Sequence, residues 1–226
     1  MSVSITWHGH ATLSLNVDGK RILIDPFFSG NPAARTSADR VKADYILLTH
    51  GHGDHVGDVL AIAKRTGALV IANFEICNWI AAQGHTRVHA QHIGGGYNHP
   101  FGRVKLTIAF HGSALPDGSY GGNPCGFLLA VGGKKIYVSG DTALYSDMQF
   151  YSPGLDLAVL PIGDNFTMGP DDALTAVTLL KPKVVIPYHY NTWPPISVDV
   201  KEWARRVRQE TSSEVEILGV DDSYTL

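Results

Sequence analysis

Apolar and polar positions alternate with a period of two over much of the first half of the chain. Ser4–Trp7, Thr12–Val17 and Arg21–Asp25 are short β-type runs, and Asp18-Gly19 between the last two is a hairpin signal. Pro26 to Arg40 is rich in Gly, Pro, Ser and Ala and reads as a loop. Tyr45–Leu48 reads as a buried strand. Apolar residues then recur at helical spacing (Val56, Val59, Leu60, Ile62, Ala63) until Gly67. Leu69–Ala72 predicts a strand, Phe74–Ala82 a helix closed by Gly84, Gly94-Gly95-Gly96 a loop, and Val104–His111 a strand.

The second half repeats this grammar. Gly126–Val131 and Lys135–Val138 predict a hairpin around Gly132-Gly133, and Leu155–Leu160 a further strand. Pro170 opens a helix whose first turn holds Asp171 and Asp172, where the helix dipole favours anions; Pro182 bounds it. Val184–Pro187 is an apolar strand running into Tyr188-His189, Ser197–Glu210 a helix, and Val215–Leu218 a closing strand. Hairpins alternating with strand–helix units in both halves predict an α/β fold of two mixed sheets with helices outside.

Composition narrows the class. With 226 residues, 44% hydrophobic and 17% charged, the chain is long enough for one globular domain over 1–226. A formal net charge of −3 argues against a mainly electrostatic grip on nucleic acid. Cys77 and Cys125 lack CxxC spacing and read as free, buried thiols. Because the chain carries no apolar run of ~18 residues and no basic stretch leading into an apolar one at its start, no membrane association and a cytoplasmic location are expected.

The chemistry concentrates in THGHGDHVGD, Thr49 to Asp58. This is a strand-to-helix loop, in which His50 and His52 can point the same way and hold one metal while Asp54 and His55 turn toward a neighbouring one. Gly51 and Gly53 supply backbone freedom, and imidazole with carboxylate suits Zn²⁺ as well as Mn²⁺, Fe or Ni²⁺. Four residues cannot complete two sites. His111, Asp141 and His189, each at the end of a predicted strand, are the candidates for the rest, since α/β folds place sites at strand ends.

HGHGDH followed by His111, Asp141 and His189 resembles the metal motifs of the metallo-β-lactamase superfamily in order, type and context, over essentially the whole chain. WHGHAT, DPFFSGNP, HGHGDHVGD, HIGG, YGGNPCGF, SGDT and PIGDNFTM are most similar to one branch, the metal-dependent hydrolases resembling ascorbate-6-phosphate lactonase. The resemblance implies a four-layer αββα sandwich of two mixed sheets with a dinuclear site between the sheet edges. It assigns His50, His52 and His111 to a first metal, Asp54, His55 and His189 to a second, and Asp141 to a bridge. Asp25 matches an aspartate that usually orients a ligand histidine. The cofactor implied is two divalent transition-metal ions, Zn first, with Mn, Ni or Fe as alternatives. They would share a water and lower its pKa, with Asp54 beside it as the catalytic carboxylate that orients the water or relays its proton.

Other polar residues are candidates for the pocket. His10 matches the GHA element of that branch, whereas His8 reads as surface or core edge. Of His85, His89, His92 and His99, His92 is the one expected to line the pocket. Asn123 lies in a glycine turn. Asn165 and Thr167 follow a strand, and Asp164 adds a negative charge there. Trp193 is either pocket wall or core, with core favoured. The Pro26–Arg40, Gly94–Pro100 and Leu115–Pro124 segments are the candidate walls.

The function these features imply is hydrolysis of a lactone, ester or phosphoester of a small molecule. The alternatives are a non-catalytic metal-binding protein and a phosphodiesterase acting on nucleotides or nucleic acid. A flavodiiron oxidoreductase is disfavoured because position 52 is His and no flavin domain is present. A nuclease is disfavoured because no substrate-gripping basic run is apparent. Analogy with the lactonase-like branch implies a homo-oligomer.

Overall fold

Alternate residues of the central strands face two different cores, and this determines the layering. The computed structural model describes residues 2–226. In β3 (Lys20–Ile24), Ile22 and Ile24 join one apolar cluster and Leu23 another; in β4 (Tyr45–Leu47), Tyr45 and Leu47 split from Ile46 in the same way. Period-two alternation with both faces apolar is what a sheet sandwiched between layers requires. The first sheet adds β1 (Val3–Trp7), β2 (Leu13–Val17), β5 (Leu69–Asn73), β6 (Val88–Gln91) and β14 (Ser223–Thr225), in the order β14-β1-β2-β3-β4-β5-β6. The second runs β13-β12-β11-β10-β9-β8-β7, with β7 (Gly96–His99), β8 (Gly102–Ile108), β9 (Cys125–Val131), β10 (Lys134–Val138), β11 (Leu157–Pro161), β12 (Val184–Tyr188) and β13 (Glu214–Val215).

One core lies between the sheets, with Ile5, Leu13 and Leu47 on one side and Leu106, Phe127 and Leu129 on the other. Val59, Ile62 and Ala63 of α2 (Val59–Thr66) and Ile76 and Ile80 of α3 (Phe74–Ala82) cover the outside of the first sheet. On the second sheet, α4 (Pro170–Leu180) and α5 (Val200–Glu210) pack on β11 and β13. The result is the αββα sandwich.

Strand direction places the chemistry. In the first sheet, β1 and β3 run the same way through two antiparallel steps, and β4 and β5 continue parallel to β3. In the second, β8 and β10 are related through the antiparallel β9, and β11 and β12 run parallel to β10. The C-terminal ends of β1, β3, β4, β8, β10 and β12 therefore share one edge of the sandwich, and the loops that follow them carry His10, Asp25, His50, His111, Asp141 and His189.

Several expected elements differ. The helix after Thr49 is two short pieces, α1 (Gly53–Val56) and α2, because the Asp58 carboxylate accepts from the backbone N–H groups of Phe28 and Ser29 (2.6 and 2.8 Å) and pins the loop there. Gly96, read as loop, begins strand β7. The predicted closing strand shrinks to Glu214–Val215, and the chain ends in β14 beside β1. The segment from Ser197 is a helix only from Val200, with Asp199 accepting from the N–H groups of Lys201 and Glu202 as its cap. Among the described residues, no helix is long and apolar enough to cross a membrane.

Both cysteines are free and buried, and burial pushes the Cys77 thiol up to about 12 and the Cys125 thiol higher still, the latter helped by nearby Asp25. A raised thiol pKa means a protonated, unreactive group at neutral pH. Native protein at pH 8 should therefore show less than about a tenth of the thiol titre of the denatured protein within an hour of adding a chromogenic disulfide reagent. Rapid native labelling of either cysteine would contradict this packing.

Candidate metal centre

Two groups of donors meet at the shared strand edge. His50, His52 and His111 form one, and His10, Asp54, His55 and His189 the other; within each, one donor atom per residue lies within 4.8 Å of the rest. Asp141 stands between them. Its Oδ2 is 3.0 Å from His189 Nε2, 3.3 Å from His55 Nε2 and 3.7 Å from His111 Nε2, so one carboxylate reaches into both groups. Gly140 makes this placement possible. Its φ is +66°, and a Cβ there would lie 2.5 Å from the Cys125 carbonyl oxygen and 3.2 Å from Thr49. Gly51 needs its hydrogen for a different reason, since a Cβ would press on Leu115 at 3.1 Å, whereas Gly53 faces open space.

Asp25, at the end of β3, fixes one histidine of each group. Its Oδ1 accepts from the Thr49 N–H (2.8 Å), and its Oδ2 accepts from Thr49 Oγ1 (2.6 Å) and from His55 Nδ1 (2.8 Å). A carboxylate only accepts, so His55 holds a proton on Nδ1, and Nε2 is the atom left to ligate a metal that displaces any proton there. The Thr49 hydroxyl has spent its proton on Asp25, so at 3.0 Å it accepts from His50 Nδ1 and frees His50 Nε2 in the same way. His50 Nε2 then faces His52 Nδ1 at 3.0 Å.

These atoms suit a metal. His55 Nε2, His189 Nε2 and Asp141 Oδ1 are buried without a hydrogen-bond partner, as is His189 Nδ1. Buried polar atoms almost always have partners, and a knot of orphaned imidazole and carboxylate atoms turned toward one another is what cations would satisfy. The contacts of Asp141 with His55 and His189 are at ion-pair distance without hydrogen-bond geometry.

Burial holds His50 well below the ordinary imidazole pKa, with the neighbouring His55 adding to it, and burial lowers His52 and His111 too. Neutral imidazole is the ligating form. Burial also opposes the charged form of His55, yet the carboxylates of Asp141 and Asp25 outweigh it and raise its pKa. Asp141 shows the converse, with burial overcome by His189 and His55, so that its carboxyl stays well below the usual range.

His10 belongs to this centre. Its Nε2 lies 3.0 Å from Asp54 Oδ2 and its Nδ1 2.9 Å from Thr192 Oγ1. Burial lowers its pKa to about 4 against the opposing pull of Asp54, so the ring is neutral, donating from Nε2 to Asp54 and accepting the Thr192 hydroxyl proton at Nδ1. For Asp54, burial favours the neutral acid, but the His10 bond and the field of His55 prevail and keep it ionised. His10→Ala should weaken metal binding at the Asp54–His55–His189 group by about 10–100-fold and leave the His50–His52–His111 group within about twofold. Stepwise titration of metal-free protein reads both, and equal weakening of the two would contradict this role.

A cavity of about 480 Å³ opens over the centre. Its floor is His52, Asp54, His111, Asp141 and His189, and its walls are Phe166, Trp193 and Pro195. Trp193 is thus wall and not core. The expected wall segments contribute little: Leu115 is buried under the first sheet's helices, and Phe27 reaches the site only by stacking behind His10 and Trp193. The structure does not bring His92, Asn123 or Asn165 into the lining. His92 is exposed against the Phe74 ring, Asn123 accepts from the Tyr120 hydroxyl and, through its carbonyl, from Asn73, and exposed Asn165 gives its N–H to Asp164. His8 bonds Asp221 and Ser14 away from the cavity. Thr49, Thr192 and Phe166 take part without having stood out in the sequence. Thr49 directly precedes the motif and Thr192 follows His189 by three residues, the one signal that was available.

Comparison with known proteins agrees with this geometry. A β-lactamase superfamily domain model matches residues 20–190. A UPF0173 metal-dependent hydrolase of Heliobacterium modesticaldum is 49% identical, covering 98% of this chain and 97% of its own, and one of Pelotomaculum thermopropionicum is 49% identical over 99% of this chain and 100% of its own. The solved metallo hydrolase Igni18 of Ignicoccus hospitalis superposes with a TM-score of 0.90 at 34% identity, covering 100% of this chain and 99% of that one. The chain belongs to the metallo-β-lactamase superfamily and, within it, to the UPF0173 family of metal-dependent hydrolases.

Proposed function

We propose that this hydrolase works with two divalent transition-metal ions, Zn²⁺ foremost and Mn²⁺, Ni²⁺ or Fe as alternatives, on a lactone, ester or phosphoester of a small molecule. The observation that carries the reading is Asp141, a single buried carboxylate within 4 Å of donors from both groups. His50, His52 and His111 would hold one ion, Asp54, His55 and His189 the other, with Asp141 shared. When bound, such a pair acidifies water enough to supply hydroxide near neutral pH and polarises the oxygen on which charge develops.

The chain's own groups do the rest. Asp25 and Thr49 hold His55 and His50 in the ligating tautomer. Asp54 is the more exposed of the two central carboxylates, 29% against 3%, so it is the one placed to take a proton from water and pass it toward the leaving group. His10 holds Asp54 in that orientation. Phe166, Trp193 and Pro195 give the floor an apolar wall, which bound substrate would cover. A cavity of about 480 Å³ is of a size that takes a small molecule.

A panel of lactones, carboxylic esters and phosphodiesters offered to protein as purified tests the reading. Turnover of at least one class should vanish with a chelator and return on adding Zn²⁺ or Mn²⁺. Turnover indifferent to chelation, or tight metal binding without turnover of any class, would contradict it, the latter in favour of a metal-binding protein.

A further inference from the structure

The cavity is chemically lopsided. Every polar side chain lining it belongs to the metal-binding floor, and the remaining lining residues, Phe166, Trp193 and Pro195, are apolar. Neither lysine nor arginine lines it. The chain does cluster cations, with Arg103, Lys105, Lys134 and Lys135, but they line a separate groove that shares no residue with this one.

The apolar wall is preformed. The Trp193 ring sits edge-on to His10 at 4.6 Å and tilted against Phe27 at 6.3 Å. The turn that carries it is closed by Ile196 N–H to the Trp193 carbonyl (3.0 Å) and by Asn191 N–H to the Ile196 carbonyl (2.8 Å), with Ile196 buried beneath. Phe166, in the same lining, is 54% exposed and lies in a loop closed by Asp164 N–H to the Met168 carbonyl (3.1 Å) and Met168 N–H to the Thr142 carbonyl (3.1 Å). Aromatic surface left open in a cavity gains from being covered by apolar substrate surface. Asp164, exposed in the same loop and accepting from the Asn165 N–H, puts a negative charge two residues from Phe166.

We propose that the substrate is an uncharged carboxylic ester or lactone whose apolar group packs between Trp193 and Phe166, and not a phosphate ester or a carboxylate-bearing ester. The proposal rests on the metal-dependent hydrolase reading above. In the reaction the oxygen of water joins the acyl carbon, the acyl C–O bond breaks, and the departing alkoxide takes up a proton, so that ester and water give acid and alcohol. An anionic group away from the acyl carbon would need a cation in the wall, and the wall offers none.

The test compares p-nitrophenyl valerate with p-nitrophenyl hemiglutarate, which differ at the chain end by methyl against carboxylate, on the metal-loaded protein. The valerate should be cleaved with at least tenfold higher kcat/KM, and kcat/KM should rise up to about fourfold per methylene from acetate to valerate. Trp193→Ala and Phe166→Ala should flatten that rise with metal content unchanged. Preference for the hemiglutarate, or for bis(p-nitrophenyl) phosphate over every ester, would overturn the proposal while leaving the hydrolase reading intact. If no substrate is cleaved, the hydrolase reading fails. Binding of the matching methylamides, followed by tryptophan fluorescence, then decides the inference. Tighter binding of the valeramide sustains it, and equal or tighter binding of the carboxylate-bearing amide overturns it.

Discussion

Asp141→Asn is expected to lower the hydrolytic rate by at least about a thousandfold and to leave a folded protein that retains fewer metal ions than the parent. Asparagine keeps the shape of the side chain, so the loop after β10 and its Gly140 turn should persist. What it lacks is the charge. Asp141 lies within 4 Å of the Nε2 atoms of His55, His111 and His189, whereas Asp54 sits with the His10–His55–His189 donors alone and Asp25 meets His55 at Nδ1, the side away from Asp141. The amide would also turn an N–H₂ toward imidazole nitrogens that must accept a cation. Losing a shared anionic ligand removes several kcal/mol of charge stabilisation, which at 1.36 kcal/mol per factor of ten gives roughly the loss stated. Activity above about a tenth of the parent with undiminished metal would contradict the bridging role.

Asp25 should yield the largest stability effect. The residue is buried, sits in the left-handed region at φ 48°, and satisfies the Thr49 N–H, the Thr49 hydroxyl and His55 Nδ1. Asp25→Ala strands all three donors in the interior and places alanine in a conformation that asparagine, aspartate and glycine tolerate better. A loss of about 3–5 kcal/mol follows, which lowers Tm by roughly 10 °C for a domain of this size. Asp25→Asn separates stability from chemistry. It keeps one acceptor and the left-handed backbone, so its loss should be smaller. Its N–H₂ cannot receive the His55 Nδ1 proton, so the ring is pushed to the opposite tautomer and its Nε2 no longer ligates. The metal-free variant should melt within about 5 °C of the parent yet bind metal about 10–100-fold more weakly. Melting curves and metal titrations on both variants read the two effects, and Asn binding metal like the parent would contradict the tautomer argument.

The parts of this architecture that were legible in the sequence are those that a core constrains. β3, β4, β11 and β12 lie inside their sheets, and their alternation or apolar runs survive in the sequence as Ile22–Ile24, Tyr45–Leu47, Leu157–Leu160 and Val184–Ile186. The strands that escaped notice, β6, β7 and β14, lie at or beside sheet edges, and most of their residues are half-buried or exposed. Val-His-Ala-Gln and Gly-Tyr-Asn-His carry little pattern because backbone pairing, and not side-chain burial, keeps them extended.

The centre divides the same way. The donors are chemically conspicuous and end up together, at the ends of strands that run in one direction. The residues that tune them are not conspicuous: Thr49 matters through a proton given to Asp25, 24 positions earlier, and Thr192 through one given to His10, 182 positions away. The cavity wall is the least legible part. Trp193 looks like a core residue, and Phe166 carries no signal, until the fold leaves both facing a cavity, while His92, Asn123 and Asn165 look like ligand residues until local contacts claim them.

The most direct test of the dinuclear reading is the metal content of each chain, by elemental analysis of protein purified without added metal or chelator and again after titration with Zn²⁺, Mn²⁺ and Ni²⁺. The account predicts about two transition-metal ions per chain, with Asp141→Asn holding fewer. A single ion that does not rise on titration, or none with no uptake, would contradict it.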